Sequence, residues 1–186
     1  MNGNVIQNEP ESWDLRLHAL RDVPLINEGD DLGSIAVTAL RRADVTFESG
    51  DVLVVAQKVV SKAEGRLIRL ADVVPTDEAS ELAERTGRDA ALCQLYLDES
   101  VAILGVTGRH VITLHRLGFE GTGAGVDLSN AVSGEDHVAV LLPINPDESA
   151  RRIRETITDI TGARVAVIVS DSFLSLIHIS EPTRPY

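Results

Sequence analysis

The segment GTGAGVDLSN, residues 121–130, places three glycines directly before a carboxylate and a carboxamide. Glycine costs backbone entropy, so it usually marks a tight turn or a backbone that another group approaches closely. Asp127 supplies the hard oxygen atoms that Mg²⁺ and Mn²⁺ take together with substrate phosphates. In the alternative interpretation Asp127 only caps the following turn, and the segment alone favours that alternative. A dinucleotide-binding fingerprint is excluded, because its last glycine would fall on Val126.

A second acidic side chain, Asp171, follows the apolar run of residues 165–169. Open α/β sheets bind ligands at the carboxyl ends of their strands. The adjacent Ser172 offers a hydroxyl, a common partner of a carboxylate at magnesium–phosphate sites. The alternative is that Asp171 and Ser172 begin a surface turn. Two acid-bearing segments are therefore compatible with a metal site, without establishing one.

The segment QKVVSKAEGRLIR, residues 57–69, is basic within an acidic chain of net charge −12. Such a local excess of positive charge indicates an anion site. Lys58 and Lys62 are placed to neutralise nucleotide phosphates, since positioning and charge neutralisation supply most of the catalysis in phosphoryl transfer. For Arg66 and Arg69 a solvated edge of an amphipathic segment is the favoured interpretation.

Hydrophobic spacing predicts the elements that must position these residues. The first half of the chain contains an amphipathic helix over residues 32–43 and a Val-rich buried strand over residues 52–56. Residues 76–100 have a mostly helical pattern, with Thr76 or Asp77 as the N-terminal cap.

The second half of the chain predicts one well-delimited helix between short strands. Asn145 is its expected cap, Pro146 its first residue, Glu148 the partner in a capping box and Gly162 its end. Strands are predicted at HVITL, VAVLLP and RVAVIVSD. Helices and strands thus alternate, so the predicted fold class is mixed α/β, or α+β.

Composition limits the classes of function. The chain has 186 residues and a single cysteine, Cys93, which excludes a disulfide framework or a cysteine-rich zinc site and points to a reducing cytoplasm. A pI near 4.7 argues against a nucleic-acid partner. No apolar run approaches the ~20 residues needed to span a membrane, and the N-terminus has no export-signal pattern.

Several segments, in their order along the chain, resemble landmarks of the coenzyme F420-0:gamma-glutamyl ligase family. The resemblance covers residues 20–173, and the combination of VVSKAEGR with AGVDLSN is its most specific part. The remaining landmarks are DVPLINEGDDL, GDVLVVAQK, LLPINPDESARRIR and VAVIVSDSF.

The resemblance implies a GTP-dependent ligase that adds L-glutamate by gamma linkage to coenzyme F420-0 through an acyl phosphate. It implies a family-specific α/β fold with a mixed sheet and flanking helices, a homodimer, and two Mg²⁺ or Mn²⁺ ions per site. Because no covalent nucleophile is required, no residue is assigned as catalytic.

The resemblance also assigns site residues by position. Asp127 and Asp171 match ligands of one metal ion, and Ser172 matches a ligand of the second. The expected nucleotide-binding positions are Asp22, Val23, Pro24, Leu25, Gln57, Lys58, Lys62 and Asn130. Gln57 stands where members of the family often have Ser or Thr.

The ends of the chain fall outside this resemblance. Residues 1–19 form a leader, residues 20–173 the N-terminal portion of the ligase domain, and residues 174–186, LSLIHISEPTRPY, resemble translated sequencing-adapter DNA. The domain is therefore expected to be incomplete at its C-terminus and the 186-residue chain to be inactive. Two alternatives stay open: another nucleotide- and metal-dependent phosphotransfer enzyme such as a kinase, or an inactive truncated fragment.

Overall fold

A computed structural model of the protein describes residues 15–128 and 137–171. Its helices are α1 (Leu32–Arg42), α2 (Gln57–Ala63), α3 (Asp77–Thr86), α4 (Ala90–Asp98) and α5 (Pro146–Thr161). Its strands are β1 (Val52–Ala56), β2 (Leu67–Arg69), β3 (Ser100–Thr107), β4 (His110–His115), β5 (Glu120–Thr122), β6 (Val138–Val140) and β7 (Ala166–Ser170). The predicted α/β class is confirmed.

The helix ends follow the capping chemistry expected from the sequence. The Asn145 carboxamide accepts the Glu148 backbone N–H at 3.1 Å, Pro146 opens α5, and Gly162 ends it with a φ of 74°. The Glu148 carboxylate, predicted to complete a capping box, instead pairs with arginines of its own helix. Thr76 caps α3 as predicted, by accepting the Ala79 N–H.

The predicted helical stretch over residues 76–100 is two helices rather than one. Gly87 ends α3 in the left-handed region with a φ of 63°, and the Asp89 carboxylate then caps α4. Strand β3 begins at Ser100, and its pairing with β4 was not predicted. Residues 101–106 are a short apolar run, which periodicity alone does not assign to a strand or to a helix.

The described strands form three small sheets. β1 and β7 are parallel, β2 and β6 are antiparallel, and β3, β4 and β5 form an antiparallel meander. Helices α1 and α5 pack together beside the parallel pair and bury a core that includes Val60, Ile153, Ile157 and Val165. A two-stranded sheet is marginal alone, so this helical cover is what stabilises it.

A second core lies between α3, α4 and the antiparallel meander. Leu82, Leu92, Tyr96 and Val111 are buried there, together with Cys93, whose pKa is raised by burial. The prediction that Cys93 is a core residue is confirmed. Among residues 15–128 and 137–171, the structure contains no helix with the length and apolar character needed to cross a bilayer.

Three predictions concern the ends of the chain and the gap between the described ranges. Asn130 and Ser172 lie outside the described residues, as do most of the leader and all of residues 174–186. The division of the chain into leader, ligase portion and non-native tail therefore stays a prediction.

Candidate functional site

An open cleft of about 440 Å³ joins residues from distant parts of the chain. Its polar lining includes Gln57 and Lys58 from α2, Asp127 from the glycine-rich segment, and Asp171 after β7. Apolar walls are supplied by Leu117, Phe119, Leu142 and Pro143. Four of the residues that the sequence assigned to nucleotide or metal therefore lie around one cleft.

The parallel pairing of β1 with β7 explains why Gln57 and Asp171 lie at the same cleft. Ala56 is aligned with Ser170, so both strands end at the same edge of their sheet. The next residues are Gln57, which begins α2, and Asp171. The predicted position of Asp171 at the carboxyl end of a strand, facing a binding cleft, agrees with this geometry.

The glycine-rich segment explains the position of Asp127. Gly123 and Gly125 have φ values of 59° and 65° and flank the fully buried Ala124, whose φ of 51° is also positive, so the three residues form a left-handed turn. The chain then returns beside β6, where the Asp127 N–H donates to the Val140 carbonyl at 3.0 Å and the Asp127 carbonyl accepts the Val140 N–H at 2.8 Å. The main chain of Asp127 is thereby fixed at the edge of the cleft.

A side chain at position 125 would clash with Leu142, and this gives a prediction about stability. A Cβ at this position would lie 2.8 Å from Cδ1 and 3.1 Å from Cγ of Leu142, whereas one at Gly87, with a similar φ of 63°, would meet nothing within 4 Å. We expect Gly87→Ala to cost about 1 kcal/mol of the free energy of unfolding, the price of left-handed backbone alone.

Gly125→Ala should cost about 1 kcal/mol more than Gly87→Ala, because Leu142 must shift. Urea unfolding of both variants measures the difference. Equal losses of stability would show that the approach of Leu142 to Gly125 imposes no constraint.

An ion pair crosses the cleft between the Lys58 ammonium and the Asp127 carboxylate. Both side chains are about one-third exposed, at 31% and 28%. Lys58 and Lys62 are the only lysines in the sequence, and all its other basic side chains apart from histidine are arginines. The sequence assigned Lys58 to phosphate and Asp127 to metal, and it did not predict that the two would bind each other.

Gln57 has a structural role that the sequence did not reveal. It is 5% exposed, and its side-chain amide donates to the Ser61 hydroxyl at 2.6 Å and to the Leu141 carbonyl at 3.3 Å. The first bond lies within α2, and the second ties α2 to the chain that follows β6. The predicted contact between Gln57 and the nucleotide stays a prediction.

Of the remaining predicted nucleotide positions, those among the described residues do not line this cleft. Lys62 lies one helical turn beyond Lys58. Asp22 and Pro24 line a separate small pocket against α1, where the Arg42 guanidinium donates to the Asp22 carbonyl at 3.4 Å. Val23 and Leu25 are exposed, the latter at 87%.

A buried charge cluster beneath the cleft was missed at the sequence level. The Glu99 carboxylate accepts hydrogen bonds from Arg66 at 2.7 Å and from Arg116 at 3.0 Å. Arg66 also donates to the carbonyl of Leu142, and Arg116 to those of Pro143 and Ile144. The cluster therefore holds the main chain behind two residues that line the cleft.

The favoured interpretation of Arg66 as a solvated edge residue is wrong, because its side chain is only 18% exposed. The same interpretation of Arg69 agrees with the structure, since the Arg69 side chain is 56% exposed beside Asp72. The sequence contains no spacing that distinguishes the two arginines. Their difference arises from Glu99, which is 33 positions from Arg66.

The pKa values within the cluster follow from burial and charge. Burial disfavours the ionised form of Glu99, but the hydrogen bonds and charges of Arg66 and Arg116 outweigh it and hold the pKa of Glu99 below its usual value. Burial, aided by Arg116, lowers the pKa of His115 against the opposing effect of Glu99. Glu99 is therefore ionised and His115 neutral at neutral pH.

His115 supports the apolar wall of the cleft. Its Nδ1 accepts the Leu117 N–H at 2.9 Å, so the proton of the neutral ring is on Nε2, which faces Glu99 Oε2 at 3.6 Å. Its ring stacks on Phe119 at a centroid distance of 4.8 Å. Leu117 and Phe119 both line the cleft, and His115 positions the first by a hydrogen bond and the second by stacking.

The donor set around the cleft suits a hard divalent cation. Within the described ranges no three Asp, Glu, His or Cys side chains come together as a metal cage. Mg²⁺ does not need such a cage, since it commonly takes one or two carboxylates and completes its shell with water and phosphate oxygens. Asp127 and Asp171 supply two carboxylates to one cleft, as that mode of binding requires.

Comparison with known proteins identifies the family of the chain. The family described as F420-0:Gamma-glutamyl ligase matches residues 21–185. Three similar relatives are coenzyme F420:L-glutamate ligases. The one from Methanothermobacter thermautotrophicus is 38% identical over 85% of the chain. Those from Archaeoglobus fulgidus and Methanopyrus kandleri are 40% identical over 81% and 39% identical over 82% of the chain. These matches cover 62%, 57% and 59% of the relatives, so the chain spans about three fifths of their length. The family match covers most of the sequence, and the chain belongs to the F420-0:gamma-glutamyl ligase family.

Proposed function

We propose that the protein takes part in coenzyme F420 biosynthesis as a GTP-dependent ligase, which adds L-glutamate by gamma linkage to coenzyme F420-0. The observation that carries the proposal is the cleft itself. Gln57, Lys58, Asp127 and Asp171 come from three separate segments and line one opening. Relatives over most of the chain are named coenzyme F420:L-glutamate ligases.

The reaction requires activation of a carboxylate, which is a poor electrophile. A carboxylate oxygen of the acceptor attacks the γ-phosphorus of GTP, GDP leaves, and an acyl phosphate forms. The amine of glutamate then attacks the acyl carbon, phosphate leaves, and the amine gives up a proton. Neither step needs a protein nucleophile, so the residues of the cleft act by orienting reactants and balancing charge.

The charges of the cleft match this task. Asp127 and Asp171 would hold Mg²⁺ or Mn²⁺, two ions per site in the proposal, with Ser172 as a ligand of the second. When bound, the metal would neutralise charge on phosphate oxygens as it changes during transfer. Lys58 in the cleft lining and Lys62 one helical turn further along α2 would provide positive charge for the remaining phosphate oxygens.

Binding and turnover test the proposal separately. Calorimetric titration of the purified chain with GTP in the presence of Mn²⁺ should show saturable binding, and a silent titration would support the alternative of an inactive fragment. Turnover is measured with coenzyme F420-0, GTP, Mg²⁺ and L-glutamate. The expected product has gained one glutamyl residue by mass spectrometry, with GDP and phosphate released in equal amounts.

Two further reactions separate the ligase from a kinase. With hydroxylamine in place of glutamate, an acyl phosphate should be trapped as the hydroxamate of the coenzyme. A phosphorylated product that is stable to hydroxylamine and forms without glutamate would favour a kinase. Ligation by the purified 186-residue chain would establish the reaction and contradict the expectation that this chain is inactive.

The proposal includes the homodimer and a cytoplasmic location that the sequence led us to expect. Sedimentation velocity of the purified chain tests the first of these. A monomer at all accessible concentrations would remove the dimer from the proposal without affecting the assignment of the cleft.

A further inference from the structure

The ion pair between Lys58 and Asp127 joins two residues to which the proposed function gives different ligands. Asp127 is a proposed metal ligand, and Lys58 is a proposed partner of nucleotide phosphate. Both side chains line the same cleft, and each keeps about one third of its surface exposed. The carboxylate that would receive a metal ion therefore already has a cation beside it.

An ammonium group and a divalent cation compete for one carboxylate. Two positive charges at contact distance repel each other strongly when partly shielded from water. Lys58 contacts Oδ2 of Asp127, and a metal ion on either carboxylate oxygen would lie close to the ammonium, so repulsion favours departure of the ammonium. Binding of the metal is therefore expected to break the ion pair.

The structure indicates which partner moves. The main chain of Asp127 is held by two hydrogen bonds to Val140, at 3.0 and 2.8 Å. Its side chain is short and has little reach. Lys58 carries its charge on a flexible four-carbon stem at the start of α2. The ammonium group can leave the carboxylate by side-chain rotation alone.

We propose that Lys58 is an exchangeable counter-ion of Asp127, which neutralises the carboxylate until metal binds and then transfers its charge to a phosphate oxygen of the nucleotide. This inference rests on the proposed function. It predicts that free metal binds weakly, because the displaced ammonium loses its partner. Nucleotide restores a partner to Lys58, so metal and nucleotide strengthen each other's binding by the same factor.

The variants that test the exchange are Lys58→Met, which keeps the stem and removes the charge, and Lys58→Arg, which keeps the charge. Lys62→Met is the matched control, since it removes the other lysine of the chain one helical turn away. Free Mn²⁺ is measured by its electron paramagnetic resonance signal, first with Mn²⁺ alone and then with Mn²⁺ and GTP. Circular dichroism and thermal unfolding verify that each variant is folded.

With Mn²⁺ alone, we expect Lys58→Met to bind about two- to fivefold more tightly than the unmodified chain, equivalent to an ion pair worth roughly 0.4–1 kcal/mol. Lys58→Arg should bind Mn²⁺ as the unmodified chain does. Lys62→Met should change the affinity less than Lys58→Met, because only a distant charge is lost. With GTP present, the gain in Mn²⁺ affinity should be smaller in Lys58→Met than in the unmodified chain.

A second measurement uses the unmodified chain, so it does not depend on a variant that folds. Because the chain has two lysines, peptide mass spectrometry resolves acetylation of each after brief treatment with an acetylating reagent. Mg²⁺ alone should increase acetylation of Lys58 relative to Lys62, as the ammonium leaves Asp127. Addition of GTP should reduce it again.

The outcomes separate this inference from the proposed function. If Mn²⁺ and GTP bind but Lys58→Met does not increase the affinity for Mn²⁺ alone, the exchange is wrong and the proposed function stands. If neither the unmodified chain nor Lys58→Met binds Mn²⁺, both are wrong. If Lys58→Met binds Mn²⁺ more tightly and the chain forms a phosphorylated product that is stable to hydroxylamine and needs no glutamate, the exchange stands and the ligase reaction is wrong.

Discussion

Replacement of Glu99 by glutamine should lower the free energy of unfolding by about 3 kcal/mol at neutral pH. The variant keeps the size of the side chain but leaves the guanidinium groups of Arg66 and Arg116 without their shared anion. Both arginine side chains are mostly buried, at 18% and 28% exposed, so water compensates only in part. Urea unfolding followed by circular dichroism measures the loss.

A surface glutamate provides the control for this prediction. Glu84 is exposed on α3, and Glu84→Gln should change the stability by less than about 0.5 kcal/mol. Similar losses in Glu99→Gln and Glu84→Gln would contradict the view that the Glu99 cluster stabilises the main chain behind the cleft.

The effect of Glu99→Gln should also depend on pH. The pKa of Glu99 in the folded protein lies below its ordinary value of 4.5. The folded state therefore binds fewer protons than the unfolded state as pH falls below that ordinary value, and stability decreases. The difference between the unmodified chain and Glu99→Gln should be constant near pH 7, shrink below about pH 4.5, and vanish once Glu99 is protonated in the folded state.

Replacement of Asp171 or of Asp127 by asparagine should weaken binding of Mn²⁺ by at least about tenfold. Loss of an outer-shell partner of a metal ligand already costs about 10- to 100-fold in affinity, and these two carboxylates are proposed as direct ligands. Asparagine has nearly the same shape but no charge. Electron paramagnetic resonance of free Mn²⁺, recorded with GTP present, measures the change.

Asp72→Asn is the matched control, because this acid is 71% exposed and pairs with Arg69 away from the cleft. It should leave the affinity for Mn²⁺ unchanged. If Asp127→Asn weakens binding while Asp171→Asn does not, then Asp171 is not a ligand. Unchanged affinity in both variants would remove the metal site from the proposal.

Elements defined by local chemistry were predicted well from the sequence. The cap at Asn145 and the end at Gly162 delimit α5 because each acts on backbone groups within a few residues. The strand at residues 52–56 was predicted from its Val-rich run, but its predicted burial is wrong: only Leu53 is buried, and Val52 and Val54 are 54% and 60% exposed. Strand β3 was not predicted, because a short apolar run such as residues 101–106 does not distinguish a strand from a helical segment.

The candidate site was predicted only in outline. Strand ends and a glycine-rich segment indicated Asp171 and Asp127, and the structure places both beside one cleft. The pairing of Lys58 with Asp127 depends on a separation of 69 positions that no local pattern encodes. The roles of Arg66, Glu99 and Arg116 are equally nonlocal, which is why a buried cluster resembled a solvated edge.

The register of β1 against β7 affects the order in which the protein folds. Each pair joins positions 114 apart, so a ribosome must synthesise nearly all of the described chain before Val52 meets its partner. Joining such distant segments costs loop-closure entropy and slows folding, whereas the hairpin of β3 and β4 needs only neighbouring residues. We therefore expect the β3–β4 hairpin to form first in the nascent polypeptide, and the cleft to be complete only when β7 docks.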